Sequence, residues 1–129
     1  MAPTESSRDR RIRAQERGRR GENRAAWWLR FKGYRILERD LRCPVGEIDL
    51  IARRGGLLAI VEVKVRPDET RAAEAITARQ RRRIEAALGW YLARHPEHAN
   101  RAIRFDAILV LPGRLPQHLE GCWAAAHTV

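Results

Sequence analysis

Apolar positions along the chain fall into runs of two periods. From Gly21 to Gly33 (GENRAAWWLRFKG) they recur at helical spacing, with Ala25, Ala26 and Leu29 on one face, and Gly33 supplies a C-terminal stop. Residues 34–41 (YRILERDL) read as a first strand. GEIDLIAR (46–53) and LLAIVEVKVR (57–66) are β-branched and alternating, and they flank Gly55-Gly56, a favoured two-residue hairpin turn. Asp68 to Ala75 is a polar connection. Thr77 opens the main helix with a Thr77-x-x-Gln80 capping box, and Pro96 stops it near Arg94. AIRFDAILVL (102–111) is a further strand, and residues 117–123 read as a short edge strand. The predicted order is α-β-β-β-α-β with one more β after it. That is an α/β domain, a central mixed β-sheet flanked by helices.

The hairpin fixes its own register. Centred on Gly55-Gly56, it sets Asp49 opposite Glu62 and Glu47 opposite Lys64, and opposed residues share a sheet face. One face is then Ile48, Leu50, Ala52, Ala59, Val61, Val63 and Val65, all apolar. The other holds Ile51 and Ile60, followed by Asp49 with Glu62 and Glu47 with Lys64. Two carboxylates directly opposite each other sit about 4.5–5.5 Å apart at Cβ, and like charges there repel. A divalent cation compensates such a pair, and hard oxygen ligands suit magnesium, which binds one or two carboxylates together with water and phosphate. The plainer reading is a solvated hairpin surface with a Glu47–Lys64 ion pair, which leaves Asp49 against Glu62 unexplained.

Charge changes the picture of the partner. The chain of 129 residues carries 26 Lys and Arg against 16 Asp and Glu, a net charge of +10. That balance favours a polyanion, with nucleic acid ahead of an acidic membrane surface, although a merely solvated basic surface gives the same count. Residues 1–20 hold seven Arg against three acids and almost no large apolar side chain. They read as a disordered basic arm, with residues 21–129 as a single domain. No apolar run is long enough to span a membrane, and the N-terminus lacks a signal peptide's apolar stretch. Cys43 and Cys122 have neither a disulfide framework nor zinc spacing, so a cytoplasmic, reducing location is expected.

Lys64 stands out in a chain with 24 Arg and only 2 Lys. An ammonium is compact, whereas a guanidinium is larger, always protonated and needs planar partners. A lysine beside a metal and a phosphate orients or helps deprotonate water, or stabilises developing charge. Lys32, the other lysine, has no evident reason in the sequence.

Asp49, twelve residues, Glu62, one residue and Lys64 together resemble the D…ExK core of the PD-(D/E)XK nuclease superfamily. The closer resemblance is to the YraN-like family of small bacterial endonuclease-like proteins. It is carried by RRGENRAAWWLRFKGYRIL (19–37), GEIDLIA (46–52), VEVKVR (61–66), AITARQRRRIEAALGWYL (75–92) and IRFDAILV (103–110), in the family's order. The superfamily's eponymous proline is absent, since Ile48 precedes Asp49, and neither the arm before Gly18 nor the tail after Leu111 is matched. The resemblance implies a restriction-endonuclease-like core and a hydrolase cutting phosphodiester bonds of nucleic acid, DNA before RNA, with branched DNA among the substrates. It also implies Mg²⁺ or Mn²⁺ held by Asp49 and Glu62, with Lys64 as the catalytic cation. A nucleic-acid-binding module of the same fold without strong hydrolysis is the alternative, and an acidic-protein scaffold a third. Cutting of branched junctions would favour a homodimer.

The resemblance also brings in Glu22, from the GE at the start of the first helix. Glu22 shares the face of Ala25, Ala26 and Leu29, a costly place for a carboxylate that is neither paired nor metal-bound. An acid complementing the helix dipole is the equal alternative. Arg79, Arg81, Arg82 and Arg83 crowd the first turns of the second helix, the wrong end of its dipole unless phosphates bind there. Gln80 points toward the sheet, where the resemblance sets it near the metal, while its place in the capping box accounts for it equally well. His95 and His98 read as solvent-facing, Asp106 as a structural partner of Arg104, and Trp27, Trp28 and Trp90 as core or interface.

Overall fold

The Gly55-Gly56 turn organises the sheet. In the computed structural model, which describes residues 6–68 and 76–125, strand β2 (Gly46–Arg54) turns at Gly55, φ 58°, directly into β3 (Leu57–Val65). Before them lie helix α1 (Ser7–Phe31) and strand β1 (Arg35–Cys43). After them come helix α2 (Ala78–Arg94), a 3₁₀ turn at Pro96–His98, β4 (Ala102–Val110) and β5 (Gln117–Trp123). The sheet runs in the order β1-β2-β3-β4-β5, antiparallel throughout except for the parallel β3–β4 pair. It is the expected mixed sheet, and α2 makes the crossover that a parallel pair requires.

Each helix covers one face. Ala25, Ala26 and Leu29 of α1 are fully buried against Leu50, Ala52, Ala59 and Val61, while Ile84, Ala87, Leu88 and Tyr91 of α2 pack on Ile51, Leu58 and Ile60. Small residues on α1 let its backbone approach the sheet, and a Cβ on Gly21 would lie only 2.3 Å from Val65 Cγ2. On the other face a Cβ on Gly46 would lie 2.0 Å from the carbonyl oxygen of Arg83, so α2 rests directly on the start of β2. The close of α1 and the start of α2 follow the predicted signals. Gly33, φ 91°, donates its N–H to Arg30 and Tyr34 donates to Leu29, a Schellman closure. At α2 the capping box is complete, with Gln80 N–H to Thr77 Oγ1 at 3.1 Å and Thr77 N–H to Gln80 Oε1 at 3.0 Å.

Four expectations are corrected. The first helix starts at Ser7 rather than Gly21, so residues 7–20, read as an arm, extend that helix. Their Arg, Gln, Glu and Ala are good helix formers, and Ser6 caps the start by accepting the Asp9 N–H at 3.1 Å. The apolar hairpin face is interrupted, because Ile48 lies with the α2 core rather than with Leu50. Asp40, at φ 50°, resets the alternation on β1, so that Leu41 and its partner Ile48 both turn toward α2 while Arg39 faces α1. His95 and His98 do not face solvent; His95 stacks on Tyr91 at 4.0 Å between ring centres, and His98 is 9% exposed. Trp27 is not core, being 68% exposed, which leaves only the interface half of its reading. The polar connection read from Asp68 to Ala75 falls, from residue 69 on, outside the described residues. No described helix is long and apolar enough to cross a membrane.

Candidate active site

The hairpin ladder holds the predicted register from Arg54↔Leu57 to Leu50↔Val61 and stops there. One residue further on, the Asp49 carboxylate replaces the main chain, accepting the Val63 N–H at 2.7 Å. The strands part where the sequence places Asp49 against Glu62. β3 meanwhile stays paired to β4 as far as Val65↔Val110, so Glu62 and Lys64 stand on a firmly held strand.

Lys64 is buried and sets its Nζ 3.2 Å from Glu62 Oε1. The expected Glu47–Lys64 cross-strand pair does not form. Because the strands have separated, Glu47 turns to α2 and accepts two bonds from Arg83, at 3.1 and 2.7 Å, which lower its pKa. Asp49 stands between two other acids. Glu22 of α1 lies on one side, its Oε1 3.3 Å from Arg39 Nε, and Glu62 on the other. Alternation explains this, because Val63 and Val65 line the α1 side of β3 and Glu62 and Lys64 the reverse.

The electrostatics show too little positive charge at this point. Burial pushes Glu62 up to about 7, the neighbouring Asp49 charge adds to the rise, and Lys64 opposes it. Asp49 is raised as well, mainly by burial and against the pull of the Val63 N–H. Glu22 is raised by burial and then by the charge of Asp49, with Arg39 opposing. Three acids raised in the same direction, Asp49 and Glu62 beside Lys64 and Glu22 beside Arg39, form the kind of group that functional sites collect. A cleft of about 290 Å³ opens over Asp49 and Glu22, lined by Gln15, Gly18 and Arg19 of α1 and by Asp40 and Arg42 of β1.

Among the described residues no three His, Cys, Asp or Glu side chains gather as a metal cluster. The donor set is the Asp49–Glu62 pair. Two carboxylates with hard oxygens, their pKa values raised mainly by burial, are the pair among the described residues that could hold Mg²⁺ or Mn²⁺.

The remaining predicted residues divide. Gln80 is committed through Oε1 to the helix cap and does not line the cleft. Arg83 is tied to Glu47, and Arg81 lies half-buried with its guanidinium 5.5 Å from the Trp123 ring centre. Arg79 and Arg82 remain exposed on the first turns of α2. Asp106 is fully buried and structural, as expected, held by Arg104 at 2.8 and 2.7 Å and by His118 Nε2 at 2.8 Å. Lys32 acquires its reason here, with Nζ 2.6 Å from His118 Nδ1 and 3.7 Å from Glu120. Sequence reading missed Gln15, Arg19, Asp40 and Arg42. The Ser6-x-x-Asp9 capping pattern was the available signal that α1 reaches back far enough to line a cleft.

Comparison with known proteins shows the family of the chain. Residues 21–110 match the model of the Uncharacterised protein family UPF0102. A UPF0102 protein of Chelativorans sp. (strain BNC1) is 52% identical over 115 residues, covering 89% of this chain and 93% of its own length. The UPF0102 protein BRADO0179 of Bradyrhizobium sp. (strain ORS 278) is 50% identical over 125 residues, 96% of this chain and 88% of that one. One from Paramagnetospirillum magneticum is 50% identical over 114 residues, 85% and 88% of the two chains. With its α/β sheet, and with matches spanning nearly the whole of its relatives, this chain belongs to the UPF0102 family.

Proposed function

We propose that the protein is a metal-dependent endonuclease of the PD-(D/E)XK type, acting on phosphodiester bonds of nucleic acid, with DNA preferred to RNA. The observation that carries this reading is the parting of β2 and β3 at Asp49. It sets two burial-strained carboxylates beside each other with Lys64 3.2 Å from one of them. Asp49 and Glu62 offer the oxygens for Mg²⁺ or Mn²⁺. When bound, the ion would neutralise charge on the phosphate and acidify a water.

The chain's own residues supply the rest. Lys64, held by Glu62, presents its ammonium to the attacking water or to the developing negative charge. Glu22 extends the acidic row toward the α1 side, and Arg79 and Arg82 on α2 give the backbone two cations. Branched substrates would bring two copies together as a dimer.

Two measurements test the reading. Asp49→Asn and Glu62→Gln should each weaken manganese binding in calorimetric titration, and unchanged affinity in both removes the metal pair. Parent protein should cut one of a panel of single-stranded, duplex and branched DNA and RNA with Mg²⁺ or Mn²⁺, and Glu62→Ala should not. Binding without cleavage across the whole panel would establish the binding-module reading instead.

A further inference from the structure

Helix α1 has an outer face that neither the core nor the acidic row accounts for. Trp27 is 68% exposed, Phe31 82% and Leu115, beside them on the β4–β5 loop, 71%. Together with Arg24, Trp28 and Pro116 they line an open groove of about 580 Å³. The rings are ordered as platforms. Trp28 and Phe31 stack 5.7 Å apart within 18° of parallel, and the Arg30 guanidinium lies 5.5 Å from the Trp27 ring centre. Arg24 is fixed at the edge by its bond to the Leu111 carbonyl at 3.1 Å and a second to that of Arg114. None of the residues lining the groove is acidic.

Charge decides among occupants. A second copy docked here by a two-fold axis would set one face bearing Arg24 and Arg30 against another, in a chain already at +10. A polyanion meets the same arginines favourably, and flat aromatic faces between cations are how unpaired bases are held. The recessed site agrees. The side chains of Glu22, Glu62 and Lys64 are only 16, 15 and 11% exposed, and Asp49 is reached through a cleft bounded by α1 and β1. A lone strand can enter such a cleft, whereas in a duplex the partner strand and its groove come too. Trp27 and Phe31 follow Glu22 by about 8 and about 14 Å along the same helix, turned to its outer side.

Resting on the nuclease reading above, we propose that the substrate presents an unpaired strand, whose phosphate enters the cleft at Asp49 and whose departing bases stack on Trp27 and Phe31 as the strand crosses α1.

Fluorescence anisotropy without metal tests this, using an oligothymidylate and a blunt duplex of equal length. The parent should bind the single strand more tightly. Trp27→Ala with Phe31→Ala should weaken single-strand binding about tenfold or more and leave the duplex unchanged. Trp27→Leu with Phe31→Leu, which keeps the apolar surface and guards against a folding defect, should do the same. Equal losses on both ligands, no loss, or a parental preference for duplex would overturn the proposal. So would an unchanged single-strand affinity while the variants lose binding to anionic phosphatidylglycerol vesicles, or turn a dimer into a monomer by light scattering. In those cases the face belongs to a lipid surface or to a second copy. A parent that cuts only duplex DNA refutes this inference and keeps the nuclease; one that prefers single strands and cuts nothing does the reverse.

Discussion

The two lysines of an arginine-rich chain each make a close polar contact. Lys64 Nζ approaches Glu62 at a buried position and Lys32 Nζ approaches His118 at a partly exposed one, and in each a compact ammonium meets a partner that a larger, planar guanidinium would crowd. Lys64→Arg should therefore keep the fold and most nucleic-acid binding while lowering metal-dependent cleavage by about 100-fold or more. Cleavage rate and melting temperature measured on one preparation check this, and full activity with Arg would end the catalytic role of Lys64. Glu62 gives a second residue-level expectation, with a defined sign. Its folded pKa, about 7, lies above the ordinary 4.5, so in the metal-free protein the unfolded chain releases its proton first. The Glu62 contribution to stability then falls as pH rises between those two values, and the penalty is complete above the upper one. A divalent ion competes with that same proton. The rise in melting temperature on adding manganese should be larger at about pH 8 than at about pH 6, and Glu62→Gln should flatten the difference.

At the scale of elements, the α2–β2 contact is the most exacting. Gly46→Ala would drive a methyl group into the Arg83 carbonyl, and a backbone atom cannot swing aside as a side chain would. A loss of about 1–3 kcal/mol is expected. Gly89→Ala on the same helix meets nothing within 4 Å and should gain about 0.5–1 kcal/mol. Urea unfolding of the two variants side by side separates the effect of contact from that of composition. The basic turns of α2 also divide by environment. Arg79→Glu with Arg82→Glu should weaken nucleic-acid binding alike for all sequences and flatten its salt dependence by about two counterions. Adding Arg83→Gln should change the slope little, since that charge is already matched by Glu47. A parental slope in the double variant would move the contact surface off α2.

For the whole molecule, the fold was legible wherever one signal fixed one element. Gly55-Gly56 gave the hairpin and its register, Thr77 and Gln80 the start of α2, Pro96 its end and Gly33 the close of α1. What escaped was set by neighbours distant in sequence. Alternation alone put Ile48 beside Leu50, because the positive φ of Asp40, which reverses it, lies on another strand. Composition alone made residues 7–20 a coil, because arginine lowers mean hydropathy without lowering helix propensity. The grouping of Asp49, Glu62 and Lys64 in space was readable from register and residue choice. Its lining by Arg19 and Arg42 was not, since that depends on how far α1 reaches back over β1.

The length of α1 carries a further consequence, for helix–coil cooperativity. Its buried positions begin at Gly21, and the described side chains from Ser7 to Arg20 are exposed. Those turns hold seven arginines against two acids and contain Gly18, whose missing side chain makes no room for any neighbour. A helix of that length is marginal in water by itself, and crowded cations lower its stability further. Anions that neutralise the arginines should therefore raise its helicity, and on the function proposed above part of the free energy of binding nucleic acid would be spent on winding these turns. Hydrogen exchange should report it as fast-exchanging amides before Gly18, slowed toward the protection of residues 22–29 when an oligonucleotide is added. Gly18→Ala would wind the segment in advance and tighten binding at no change in contacts. Equal protection of both halves in the free protein would show the helix to be self-supporting.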